Sequence, residues 1–443
     1  MMEWLQSVVD LGPSVLLPIL IFLFGLLLRM KAGSAFRAGL IVGIGFIGVN
    51  LIIGLLMENL GPAAQDMVAR IGVDLSIIDV GWPATSAIAF GSTVGALAIP
   101  IGLAVNLVLL LVGLTRTLNI DLWNLWHIAF TGALVSIMTG SFTMGIVTSI
   151  VHCIVLLLLA DLSAKHVQDY YGYQNITFAH GTSSPYYLIA IPLNKLFDKI
   201  PGLRSWEADP ESIQKRLGVL GESTVIGLIL GVIIGLLAGW GVSDVLNLGV
   251  TTAAVMLLLP RMVAILMEGL SPVSEAASDF VKKKIPGRDV YIGMDSALAI
   301  GHPAAIASSL ILIPIVLGLA VLVPGNNVLP FGDLATIPFI VCMMVPIFRG
   351  NVIRTVLAST IALGLGLLLA TYISPLFTEA ARSANFNFPE GTSAISSLVD
   401  GAVPTTAIFI WGAKLGYAGL IAIGVISLVI AYFYQKRQRT LTK

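Results

Sequence analysis

From Ile408 to Tyr432 the chain carries a single charged side chain, Lys414, and further apolar runs extend from Val15 to Leu28 and from Val225 to Ala238. About 20 such residues cross the ~30 Å hydrocarbon core of a bilayer as a helix. Within lipid every backbone polar group must be satisfied internally, so the menu shrinks to helices and closed barrels. Composition agrees with helices in a membrane: 57% of the residues are hydrophobic and 11% are charged, against roughly 25% charged in a soluble domain. Zero net charge, with no basic stripe interleaved with aromatics, excludes a nucleic-acid partner. The expected fold class is an all-α polytopic membrane protein whose surface meets lipid.

The chain also repeats itself. "LMENLGP" (Leu56 to Pro62) returns as "LMEGLSP" (Leu266 to Pro272), "AIAFGS" (Ala87 to Ser92) as "ALAIGH" (Ala297 to His302), and "FAHGTSS" (Phe178 to Ser184) as "FPEGTSA" (Phe388 to Ala394), all at an offset of 210 residues. Apolar matches are cheap in this composition, but Glu, Pro and Gly-Thr-Ser are not. Basic residues then swap sides between corresponding loops. Arg29, Lys31 and Arg37 come after the first span, while 239–247 has no base; 66–79 is acidic, while 276–289 holds Lys282, Lys283, Lys284 and Arg288. By the positive-inside rule such loops lie on opposite sides of the membrane. The expectation is two inverted repeats and about eleven spans in all, with a basic cytoplasmic C-terminus. The first repeat covers 1–195, a cytoplasmic linker 196–216, the second repeat 217–405, and a last helix with its tail 406–443. The stretch 127–160 fits either two short spans or one span with a re-entrant piece.

The two Gly-Thr-Ser phrases sit in interrupted apolar segments, and irregular backbone is tolerated at membrane depth only where it lines a cavity or is buried in protein. They are expected to form the tips of re-entrant hairpins near 174–193 and 384–404. Thr182, Ser183, Thr392 and Ser393 would there hydrogen-bond a polyhydroxylated solute. His180 and Glu390 precede the two glycines, and an ionisable residue inside a membrane is a functional candidate by default. Glu390 would act as base toward a substrate hydroxyl, and His180 as acceptor or donor. Asp295 and His302, seven apart, would share one helix face. His302 replaces Ser92 of the first half, and His127 beside Trp126 is a further substrate-binding candidate. Arg349, Asn351 and Arg354 in "FRGNVIRT" meet a phosphate or mark a helix end. Cys153 and Cys342 lie in apolar runs with no metal-ligand spacing, so no metal or other cofactor is expected.

The stretches "HGTS", "GMDSALAIGHPA", "FRGNVIRT" and "EGTSAISSLVDGAVPTT" resemble the membrane IIC component of the galactitol family of the bacterial phosphotransferase system, over nearly the whole chain. The resemblance implies a permease in the bacterial inner membrane that carries a polyol, galactitol or a near relative, inward. A cytoplasmic IIB protein, itself supplied by IIA, would hand over phosphate from a phosphocysteine. The chain is then the transport subunit of a phosphoenolpyruvate-dependent complex and not catalytic alone. The related ascorbate-type IIC family implies a homodimer whose core moves like an elevator against a fixed scaffold. An ion-coupled transporter with Asp295 and Glu390 as coupling carboxylates is the alternative reading of the residues.

Overall fold

Glycine spacing shapes the first contacts of the chain. In the computed structural model, residues 13–71, 75–121, 123–205, 208, 210, 222–284, 290–330, 332–384, 386, 388 and 394–441 are described. The first half runs through α1 (Pro13–Leu27), α2 (Ala32–Ile71), β1 (Ile77–Asp79), α3 (Gly81–Gly91), α4 (Ala98–Val112), β2 (Thr117–Asn119), α5 (Trp126–Thr139), α6 (Phe142–Tyr171), β3 (Ile176–Phe178) and α7 (Ser184–Phe197). The second runs through α8 (Ser223–Ala238), α9 (Val242–Lys284), β4 (Tyr291–Met294), α10 (Pro303–Leu322), β5 (Val328–Leu329), α11 (Val352–Ser383), β6 (Ala394–Ser396) and α12 (Pro404–Lys414), with α13 (Gly416–Leu441) at its end. Short helical turns at Ala297–Ile300 and Ile337–Val341 stand where the first half has α3 and α5.

Gly227, Gly231 and Gly235 face Met256, Leu248 and Val245, letting α8 lie close along α9, the small-residue packing of membrane helices. Gly48 of α2 abuts Met262 of α9, and Gly269 of α9 abuts Val42 and Ala38 of α2. Numbers rise along one helix as they fall along the other, so α2 and α9 pack antiparallel. Their ends meet the opposite helix turns: Asp66 accepts from the Trp240 indole at 2.6 Å, and Arg37 pairs with Glu268 at 3.7 Å.

Among the described residues, α6, α10, α11 and the Gly416–Thr440 part of α13 are long and apolar enough to cross a membrane. Shorter apolar helices include α4 and α5. At 1.5 Å per residue, α5 rises only about 21 Å, short of the hydrocarbon thickness. Gly140, at φ +64°, closes it, and Ser141 caps α6 by accepting from the Met144 amide at 3.3 Å. The stretch 127–160 is therefore a half-length helix turning into a long one.

Two small sheets depart from the all-α expectation. One has the order β5-β1-β6 and the other β2-β4-β3, every pair parallel. Each takes its central strand from one half of the chain and both outer strands from the other. Runs of two to four residues in an already apolar chain show no alternation to read, and their hydrogen-bond partners lie in the other half. The segment 174–193 holds strand β3, a tight turn and helix α7. The two Gly-Thr-Ser phrases are also unequal neighbours of their strands: β3 ends before the first, and β6 begins after the second.

Candidate functional site

Because β2, β4 and β3 are parallel, their C-terminal ends open at one edge of the sheet. The segments leaving the three strands therefore converge there: Asp121 to His127 after β2, His180 to Ser183 after β3, and Asp295 and Ser296 after β4. Asn106 of α4 secures β2, donating to the Thr117 carbonyl at 2.7 Å and accepting from the Asn119 amide at 2.8 Å. The turn after β6 adds Asp400, and the turn after Ile337–Val341 adds Cys342.

His127 is fully buried, and its Nδ1 meets Asp400 Oδ2 at 2.9 Å and Oδ1 at 3.1 Å. Its ring lies 3.9 Å from Trp126 and 4.6 Å, edge on, from His180. Gly181 is required for this approach, since a Cβ there would run into Cβ and Cγ of His127. His180 Nε2 stands 3.6 Å from Asp295 Oδ1, and Phe339 stacks against the same ring at 5.7 Å. Ser183 Oγ bonds Ser296 Oγ at 2.7 Å and lies 3.4 Å from His180 Nδ1. Asp121 accepts from Asn124 at 2.7 Å, which in turn accepts from the Trp126 indole at 3.2 Å.

Buried polar atoms are nearly always hydrogen-bonded, and an orphan costs about 1–3 kcal/mol. Among the described residues eight buried side-chain polar atoms lack a partner, and Asp121 Oδ1, His127 Nε2, Thr182 Oγ1 and Tyr186 Oη are four of them. With the shared proton on His127 Nδ1, its Nε2 can only accept; with it on Asp400, Nε2 can only donate. A hydroxyl, which does both, satisfies either state. The other sheet makes the contrast. At its C-terminal edge Asp79 accepts from the Gly81 and Asp333 amides at 3.1 and 2.9 Å, and Asp333 accepts from the Trp82 and Val399 amides and the Ser397 hydroxyl. That end is a closed knot, whereas the β2-β4-β3 end holds unmet hydrogen bonds in a cluster of His, Asp and hydroxyl groups. The described residues contain no group of three or more metal ligands.

His127, His180, Thr182, Ser183 and Asp295 are thus brought together. Ser92 and His302 are not. The Ser92 hydroxyl closes the turn after α3, donating to the Ala89 carbonyl at 2.7 Å and accepting from the Gly95 amide at 2.9 Å. His302 caps α10, accepting from the Ala304 amide at 3.2 Å, with its ring 4.9 and 5.4 Å from Tyr170 and Tyr171. Nor do Asp295 and His302 share a helix face: a four-residue turn separates them, and His302 is extended before Pro303 begins a new helix. Glu390, Thr392 and Ser393 lie outside the described residues. Sequence reasoning missed Asp400, Asp121, Asn124, Ser296 and Tyr186. One signal was available for Asp400: "DGAVP" after β6 matches "HGTSSP" after β3, an ionisable residue and Gly leading to a Pro near a helix start.

Known proteins resemble the chain over nearly its whole length. The EIIC-GAT family, described as "PTS system sugar-specific permease component", matches residues 7–391. A "PTS system galactitol-specific EIIC component" of Escherichia coli (strain K12) is 40% identical over 442 residues, covering 100% of this chain and 98% of that protein; its counterpart in E. coli O157:H7 matches equally. A "Putative permease IIC component" of strain K12 is 38% identical over 436 residues, 97% of this chain and 98% of that one.

Proposed function

This chain belongs to the EIIC-GAT family of phosphotransferase-system sugar permease components, and on that premise we propose that it binds and translocates a sugar alcohol of the galactitol class for phosphorylation by cytoplasmic IIB, with IIA upstream. The observation that carries the reading is the cluster of unpaired buried polar atoms at the β2-β4-β3 edge. The polyol hydroxyls complete His127 Nε2, Thr182 and Asp121, while His180 and Asp295 hold a neighbouring hydroxyl. In the transfer step the phosphocysteine P–S bond breaks as a P–O bond to the polyol forms. The thiolate leaves with the partner, and the hydroxyl proton passes to a base. His180 serves that role beside Asp295; Glu390, with Thr392 and Ser393, retains it on its sequence alone.

The chain would lie in the bacterial inner membrane as two inverted repeats of about eleven spans, its C-terminal tail in the cytoplasm. Antiparallel α2 and α9 and the exchanged strands support the inversion. The two helix pairs α1–α2 and α8–α9 form the fixed scaffold and the dimer contact, and the remaining elements the moving core. Exposed Phe36, Leu40, Ile44 and Leu51 on α2, with Leu246 and Val250 on α9, supply its apolar outer face toward lipid or a second copy. Family membership replaces the ion-coupled alternative. The test is protein in vesicles supplied with phosphoenolpyruvate, the general phosphocarrier proteins, and purified IIA and IIB. Galactitol should be phosphorylated only when both partners are present, and Glu390→Gln should lower the rate while sugar affinity stays. Galactitol accumulation on a proton or sodium gradient without partners refutes the reading.

A further inference from the structure

Where α6 ends, beside α7 and the turn before α11, an open cavity of about 490 Å³ is lined by His166, Asp169, Tyr170, Asn194, Lys195 and Arg349, with apolar residues completing its wall. The volume falls within the range of small-molecule sites. The polar residues of "FRGNVIRT" divide their work. Arg354 is committed to structure, donating to Asn194 at 2.8 Å, Asp198 at 2.8 Å and the Leu203 carbonyl at 3.0 and 3.1 Å. Asn351 caps α11 by accepting from the Arg354 amide at 3.0 Å. Arg349 instead stands at the cavity, on backbone of φ +53° with Gly350 next at φ +80°. A side chain at Gly350 would be strained at that φ and would strike the Tyr170 phenol. The turn is therefore built to bring Arg349 against the end of α6.

We propose that this cavity binds the phosphate ester of the transported polyol, a sugar-alcohol monophosphate, on its way to the cytoplasm; the proposal rests on the permease reading. Lys195 and Arg349 come from two different elements, and neither has an ion-pair partner among the described residues. A neutral polyol has no use for two cations, whereas a phosphate dianion does, Arg supplying a planar two-pronged donor and Lys a point charge. Asp169 would repel bare phosphate but accepts from polyol hydroxyls. Asn194, whose oxygen is held by Arg354, has its amide nitrogen left to donate. A charge pattern of two cations, one carboxylate and one amide suits an ester that carries both phosphate and hydroxyls.

The position fits as well. Tyr170 leads from the cavity wall to His302, His302 to Tyr171, and the Tyr171 hydroxyl donates to the Cys342 carbonyl at 2.6 Å. The Cys342 thiol in turn donates to the carbonyl of Phe339 at 3.3 Å, and the Phe339 ring stacks on His180 of the buried cluster. A layer of aromatic rings thus links the cavity to the sugar site, and Arg354, in the same "FRGNVIRT" stretch as the cavity's Arg349, holds the Leu203 carbonyl.

The experiment is calorimetric titration of purified full-length protein, with no partner present, using galactitol, galactitol monophosphate and inorganic phosphate. Leaving out IIB separates the product ester from the donor's phosphocysteine as the source of the phosphate. Wild type should prefer the monophosphate to inorganic phosphate. Arg349→Gln and Lys195→Gln should each weaken the monophosphate about tenfold, one charge-assisted contact apiece, with galactitol affinity unchanged as proof of fold. Unchanged monophosphate affinity in both variants, or no preference over inorganic phosphate in wild type, overturns the proposal while leaving the permease reading intact. Wild type that binds neither galactitol nor its ester refutes the permease reading, and the cavity proposal with it.

Discussion

Replacing Asp400 by Asn tests the site at its least visible joint. Both carboxyl oxygens of Asp400 address one ring nitrogen of His127, at 2.9 and 3.1 Å, so a single charge-assisted hydrogen bond is at stake. Such a bond contributes about 1.5–3 kcal/mol, and the neutral amide that replaces it about 1 kcal/mol. The Asn variant keeps the volume, so little packing energy changes. The loss is about 1–2 kcal/mol in holding the imidazole, and galactitol affinity should fall roughly 5- to 30-fold, at 1.4 kcal/mol per tenfold. Asp400→Leu is harsher, because both ring nitrogens are then buried without partners, and it should lower the melting temperature as well. The assay is equilibrium binding of radiolabelled galactitol to detergent-purified protein, with thermal unfolding alongside. An Asp400→Asn protein with wild-type affinity would refute the argument that this pair positions the site.

Gly181→Ala should displace the His127 ring, costing about 1–3 kcal/mol by overpacking and reducing galactitol binding; wild-type binding would mean that the turn yields freely. Cys153 and Cys342 are both buried, so the double Ala variant should retain full partner-dependent phosphorylation, measured as transfer of label from phosphoenolpyruvate; its loss with sugar binding intact would make this chain its own phosphocarrier. In that cysteine-free background, Ser34→Cys and Asp244→Cys occupy equivalent exposed positions. Impermeant maleimide should reach the first only from the cytoplasm and the second only from outside, and labelling of both from one side would contradict inversion.

The chain's membrane character, its 210-residue repeat and five of the clustered side chains were legible in the amino-acid order alone. The reason is energetic and local: polar or ionisable groups such as His180, Thr182 and Asp295 are costly in an apolar chain wherever they stand, so their presence marks candidate functional positions. Only the tertiary structure decided which of them meet. The His127–Asp400 pair spans 273 residues. It exists because short parallel strands from opposite halves interleave, and such strands leave no periodic trace among uniformly apolar neighbours. In the folded chain Ser92 closes a turn and His302 packs against two tyrosines. Hydropathy is a property of each residue, but a hydrogen bond needs two atoms within about 3 Å of each other. That distance is fixed by strand register and helix crossing, which the amino-acid order carries only through the folded whole.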